Sequence, residues 1–313
     1  MAEIAEALGS DALAVDAPLA CPHVPWRVAL SDYVTLTKPR IMSLLVLTAV
    51  CAMVAAAGGS PETVPLAALV LGGALACGGA SAFNHVLDRD IDQLMGPRTA
   101  SRPVAAGRIS PRRAVAFALA LSALSFAVLT AFDNLLAAVL SLGGGAFYVV
   151  VYTLWLKRST AQNIVIGGAA GAFPPLAGWA AANGHLGLGA WLLFGVVLLW
   201  TPPHFWALAL LLSRHYEAAK VPMMPVVRGA AATAVQVLAY TLALVAFSLV
   251  PAATGTFGVF YLAAALLLGA VFLGLAARMW RAPTPARAAV LFHYSLLYLS
   301  LLFVAVAIDA AIR

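Results

Sequence analysis

The chain has 313 residues, of which 63% are hydrophobic and 10% charged, with a mean hydropathy of +0.97. A soluble domain carries about 25% charged residues, so a water-soluble globule, a disordered chain, a collagen-like repeat and a disulfide scaffold are all excluded. What remains is an all-α polytopic membrane protein, and the net charge of +6 then has to be explained by where the cations sit.

Residues 1–35 open with Glu3, Glu6, Asp11 and Asp16 before any cation. They contain no apolar core of signal-peptide length, and they read as a mobile cytoplasmic tail. Residues 36–313 form a single membrane domain. Its apolar stretches run roughly 41–57, 65–87, 114–132, 135–154, 163–182, 190–212, 231–251, 257–277 and 288–310, and each is predicted as a helix. In lipid the backbone has no water partner, so a spanning segment must satisfy its own hydrogen bonds. Asp133–Asn134 reads as a tight turn between the third and fourth spans. Cys21, Cys51 and Cys77 have no paired spacing and read as small apolar residues.

The loops alternate in charge. Seventeen of the eighteen Lys and Arg residues fall before the first span or in every second loop after it, and only Arg313 falls on the other side. By the positive-inside rule the basic loops are cytoplasmic and the C-terminus is outside. Nine spans starting from a cytoplasmic N-terminus require the same outcome. The basic charge therefore belongs to topology, and a nucleic-acid partner is not expected.

The most informative polar segment follows the second span. Asn84, Asp88 and Asp92 are spaced i, i+4, i+8, so a continuous helix puts them on one face within about 12 Å. Asp90 is out of phase and points elsewhere. Like-charged neighbours at i, i+4 repel, and a helix that keeps them at a membrane boundary has a cation to hold. Hard oxygen ligands suit Mg²⁺, which commonly takes one or two carboxylates and completes its shell with phosphates. Arg98 and Arg102 follow within ten residues of Asp92 and carry the planar fork that suits phosphate oxygens. Lys157 and Arg158 are further diphosphate candidates, although cytoplasmic cations of this kind also serve purely as topological anchors. The general alternative is a solvated acidic loop. The depth of this face, beginning before the apolar run has ended, favours function.

Asn84-xxx-Asp88-xxx-Asp92 followed by Arg98-Thr99-Ala100-Ser101-Arg102-Pro103 resembles the first aspartate-rich motif of the UbiA-type intramembrane prenyltransferases. Thr37-Lys38-Pro39-Arg40, Tyr152–Arg158, Asn163–Gly168, Pro174–Trp179 and Trp200-Thr201-Pro202-Pro203-His204-Phe205-Trp206 resemble the heme-farnesylating branch, the heme O synthases. The resemblance covers about residues 30–300. It implies nine helices around a central cavity capped by cytoplasmic loops, in the cytoplasmic (inner) membrane. It also implies Mg²⁺ as cofactor, farnesyl diphosphate and heme B as substrates, heme O and diphosphate as products, and a heme A synthase as partner enzyme. Asp88 and Asp92 would then hold Mg²⁺, with Asn84 as neutral ligand or orienting partner.

Two departures from the family pattern affect the expected site. The family usually has Asp-Tyr after the sixth span, where this chain has His215-Tyr216. Glu217 is then the substitute metal ligand, and Lys220 can reach a phosphate. The loop before Arg98 is also one residue longer than usual, with Gly96-Pro97 between Met95 and Arg98. On the heme side His204 is the leading candidate, because an unpaired imidazole inside an apolar span is costly. Heme iron, heme propionates and a purely structural hydrogen bond all remain open for it. His215 and Tyr152 are further heme-side candidates, and Tyr148 and Tyr152 could flank a carbocation or simply pack. Prenylation of a quinone precursor or a chlorophyll is the alternative activity. Transport is a weaker one, since the ionisable groups gather at one end.

Overall fold

A computed structural model describes residues 26–313. The described residues form helices and turns with no strand. In chain order they are α1 (Trp26–Thr37), α2 (Pro39–Ala56), α3 (Thr63–Leu87), α4 (Arg89–Leu94), α5 (Pro97–Ala100), α6 (Pro111–Phe132) and α7 (Leu135–Ser159). Then follow α8 (Asn163–Asn183), α9 (Leu188–Leu211), α10 (Ser213–Ala218), α11 (Met224–Ala253), α12 (Val259–Arg281) and α13 (Pro285–Ile312). Among the described residues nine of these are long and apolar enough to cross a membrane, and they coincide with the nine predicted spans.

The spans form a closed ring. From α3 it runs through α6, α7, α8, α9, α11 and α12 to α13, each packed on the next, and α13 packs back on α2, which also lies against α8. Large apolar side chains such as Leu119, Leu124, Phe126, Val139 and Leu267 are exposed on the outside. That is the surface lipid tails would cover. Inside, small residues let backbones approach closely. At Gly178 of α8 a Cβ would stand 1.9 Å from the Ala49 carbonyl oxygen of α2.

The polar residues at span ends have defined partners. Asn134 caps α7, its Oδ1 accepting from Ala137 N–H at 2.9 Å, while its Nδ2 donates to the Ala180 carbonyl at 2.8 Å. This is the predicted turn between the third and fourth spans. Asp309, near the end of α13, accepts from the Gly258 and Tyr261 backbone N–H groups at 2.6 and 3.1 Å. A carboxylate there satisfies the orphan donors of α12 and complements its dipole.

Two features depart from expectation. Of the tail expected over 1–35, residues 1–25 with Glu3, Glu6, Asp11, Asp16 and Cys21 lie outside the described residues, but 26–35 belong to helix α1. Leu36 is fully buried and packs with Ala82, Val104 and Ile109, and Tyr33 meets Phe117 edge-on at 4.9 Å. Asp32 takes a two-pronged pair from Arg108, both contacts 2.9 Å. Apolar burial and a paired charge thus order the end of the tail. The second departure lies inside α7, where Phe147–Leu156 winds as a π-helix.

Candidate functional site

The aspartate face forms where α3 meets α4. Asp88 sits at the junction, yet the helical hydrogen bonds run through it, Asp88 N–H to Asn84 C=O at 2.9 Å and Asp92 N–H to Asp88 C=O at 2.7 Å. Asn84, Asp88 and Asp92 therefore keep the predicted common face, and all three are almost completely buried.

Around them the fold assembles cations from three other segments. Lys157 Nζ donates to Asp88 Oδ2 at 2.5 Å, and Arg102 Nη1 to Asp92 Oδ1 at 2.6 Å. Lys38 Nζ donates to Asn84 Oδ1 at 2.8 Å, and Asn84 Nδ2 in turn donates to Asp88 Oδ2 at 2.6 Å and to Thr153 Oγ1 at 3.3 Å. Thr153 and Lys157 lie four residues apart, at the end of the π-helical stretch and just beyond it. That irregular winding presents both to α3, as π-helical insertions often do at functional sites.

Each carboxylate is left with one free oxygen. Among the described residues, Asp88 Oδ1 and Asp92 Oδ2 are buried without a hydrogen-bond partner, and Arg158 stands 4.0 Å from the former. A buried, unsatisfied carboxylate oxygen costs several times more than a paired one gains. A pair of them in one place fits a missing cation, and two carboxylates are what Mg²⁺ commonly takes from a protein. Burial, with the Asp88 charge adding to it, raises the pKa of Asp92 against the pull of Arg102. Lys38 is pushed down to about 7, chiefly by burial and then by the neighbouring charges of Arg102 and Lys157.

Several expected members are arranged differently. Asn84 accepts from Lys38 on its oxygen and donates from its nitrogen to Asp88, which orients that carboxylate. Arg158 turns away from the carboxylate pair to grip exposed Asp90 with contacts of 2.7 and 2.8 Å, and it also donates to the Leu87 carbonyl. The phase difference that sends Asp90 outward takes Arg158 with it. This pairing holds the Asp90 carboxyl down at about 2. Arg98 is exposed and makes no side-chain hydrogen bond among the described residues. Glu217, His215 and Lys220 are exposed on and just after α10, and among the described residues no three of His, Cys, Asp or Glu converge on a metal position. Glu217 is thus not brought to the aspartates. The His215 ring lies over Gly96, where a Cβ would come within 2.9 Å of it. Gly96, at φ +123°, makes that contact possible.

Lys38 and Thr153 are the partners that sequence reasoning missed. Lys38 has a left-handed backbone, φ 51° and ψ 60°, directly before Pro39. A proline bars its predecessor from the right-handed helical region, and positive φ at a non-glycine residue is a mark of functional strain. The Lys-Pro step was the available signal.

From Lys38 an apolar cavity of about 420 Å³ runs into the ring, lined by Ser81, Tyr148, Tyr152, Thr201, His204 and Phe292 among others. Tyr148 and Tyr152 stack with centroids 5.6 Å apart. Gly167 makes room for Tyr152, since a Cβ there would lie 2.4 Å from the ring. Opposite, His204 is sandwiched between Trp200 and Phe292, at 4.3 and 4.8 Å between centroids. Its Nδ1 is 2.7 Å from Ser295 Oγ. The structure thus brings Tyr152 and His204 to one cavity and leaves His215 outside it.

Residues 45–302 match the model of the UbiA prenyltransferase family. A protoheme IX farnesyltransferase from Gloeobacter violaceus is 54% identical over 283 residues, covering 90% of this chain and 92% of that protein. One from Thermus thermophilus is 52% identical over 287 residues, covering 92% of this chain, which spans only 46% of that longer protein. A digeranylgeranylglyceryl phosphate synthase structure superposes with a TM-score of 0.75 at 17% identity, covering 91% of this chain and 99% of that one. The structure of a UbiA homolog from Archaeoglobus fulgidus bound to GPP and Mg2+ does so at 0.62 and 16%, covering 88% and 99%. The fold is shared with both structures, and on the family match and the two close relatives together this chain belongs to the UbiA prenyltransferase family.

Proposed function

We propose that this protein transfers the farnesyl group of farnesyl diphosphate to a vinyl group of heme B, giving heme O after hydration and releasing diphosphate. The observation that carries the reading is the junction of two chemistries in one site. Lys38, which together with Lys157 and Arg102 surrounds a buried acid pair with unpartnered oxygens, also lines an apolar cavity walled by aromatic rings. The names of the close relatives choose the acceptor.

Asp88 and Asp92 are the residues that would hold Mg²⁺, as their free oxygens fit it and the homolog with GPP bound contains it. When bound, the ion supplies charge stabilisation to the departing diphosphate. The chain's own groups do the rest. Lys38, Lys157 and Arg102 are placed to neutralise negative charge as the allylic C–O bond breaks and its electron pair leaves with diphosphate. Asn84 holds Asp88 in register. Tyr148 and Tyr152, stacked on one another, belong to the cavity lining, and its apolar walls keep water from the allylic cation until the vinyl carbon attacks. Water then adds to the new cation with loss of a proton. The concentration of cations on one side of the spans supports a cytoplasmic orientation for that face, and with it a site at the cytoplasmic side of the inner membrane. A heme A synthase is the enzyme that would consume the product.

Expression in a host unable to make heme O tests the reading. Extracted pigment should gain the mass of a farnesyl group plus a hydroxyl group over heme B. Unaltered heme B, or a prenylated quinone in its place, would reject it.

A further inference from the structure

On the reading that heme B is the acceptor, the network behind His204 says how the chain holds it. Ser295 has one hydroxyl proton, and its Oγ donates to the Phe292 carbonyl at 2.6 Å. The His204 Nδ1 contact at 2.7 Å must then run the other way, with Nδ1–H donating to Ser295 Oγ. A neutral imidazole protonated at Nδ1 carries its lone pair on Nε2. No carboxylate pairs with this ring among the described residues. Nε2 has no partner on the described chain, is not among its enclosed polar atoms, and belongs to a residue that lines the cavity.

The ring is also held against rotation. Trp200 and Phe292 cover its two faces, with interplanar angles of 16° and 23°, and the Trp200 indole N–H is itself anchored on the Ser295 carbonyl at 2.8 Å. Phe205 meets the ring at right angles at 5.3 Å, and Nε2 is the ring nitrogen left without a partner on the described chain. An edge that accepts and does not donate is wrong for a propionate, which is itself an acceptor, and right for a metal. We infer that His204 binds the iron of heme B through Nε2, and that Ser295 is the positioning residue that fixes the tautomer and the ring angle. Metal-ligating histidines are commonly held in this way by a hydrogen bond from the other nitrogen.

The test is to add heme B to the full chain in lipid nanodiscs and to record the ferrous resonance Raman spectrum with the binding isotherm. The native protein should show an iron–histidine stretch. His204→Ala should lose the stretch while still eluting as a folded monodisperse protein, and added imidazole should restore it. Ser295→Ala should shift the stretch and weaken heme binding about tenfold, as loss of such an outer partner does. Ser295→Thr, which keeps the hydroxyl, should return both to native values. A native protein that binds heme B without an iron–histidine stretch, or a stretch that survives His204→Ala, overturns the ligation and leaves the acceptor unaffected. A native protein that binds no heme B at all overturns the acceptor reading, and the ligation with it.

Discussion

Asp88 and Asp92 are nearly inaccessible, yet each carries an oxygen with no hydrogen-bond partner among the described residues. Replacing either with Ala should lower turnover by at least about 100-fold, the scale of losing a principal stabiliser of developing charge, with insertion and fold retained. Near-native farnesyl transfer in those variants at saturating Mg²⁺ would remove them from the site. Asp90→Ala should cost far less, because Asp90 is exposed and serves Arg158. Arg102→Lys should weaken inhibition by inorganic diphosphate roughly tenfold, about 1.4 kcal/mol, since Lys lacks the fork; equal inhibition constants would make Arg102 only a partner of Asp92. Lys38 adds a pH signature. With its pKa lowered to about 7, it is charged below that point and neutral above it. An anion prefers the charged form, so diphosphate affinity should fall as pH rises through about 7. Lys38→Arg should flatten that part of the profile in isothermal titrations. The same residues mark what sequence can convey. Asp88 and Asp92 were legible because a helix repeats and their spacing is local. Lys38 was not, because its partner Asn84 is 46 residues away and only the tertiary fold joins them. Arg158 was adjacent to the right lysine and still went to the wrong carboxylate for a diphosphate role.

At the scale of the helix, boundaries were readable wherever polarity changed, and hidden wherever it did not. The spans and the Asp133–Asn134 turn follow from runs of apolar residues broken by charge or amide. The π-helical stretch Phe147–Leu156 is apolar throughout and has no polar face from which its winding could be seen. Helix α1 was missed for a related reason, since its order depends on Arg108, which lies 76 residues from Asp32. The pair is partly exposed, so Asp32→Ala should cost only about 1 kcal/mol. Proteolysis should nevertheless cut within α1 faster in that variant than in the native chain. Gly178 is a harsher case, because a Cβ would enter the van der Waals shell of the Ala49 carbonyl. Gly178→Ala should destabilise by about 1–3 kcal/mol through overpacking, measurable as a lower unfolding temperature in detergent.

At the scale of the whole molecule, Lys38 is common to the charged cluster and to the apolar cavity, whose lining also holds aromatic and imidazole groups. The charged cluster has a kinetic consequence. Two carboxylates facing Lys38, Lys157 and Arg102 leave the site short of negative charge, and it is completed by the same diphosphate group before and after the carbon bond breaks. Groups that ease the departure of an anion also delay its escape. The first turnover should therefore outrun those that follow, with a burst of prenylated product equal to the amount of enzyme and a slower steady rate set by the exit of diphosphate. An added pyrophosphatase would keep released diphosphate from rebinding and leave the rate of that exit, and so the burst, unchanged.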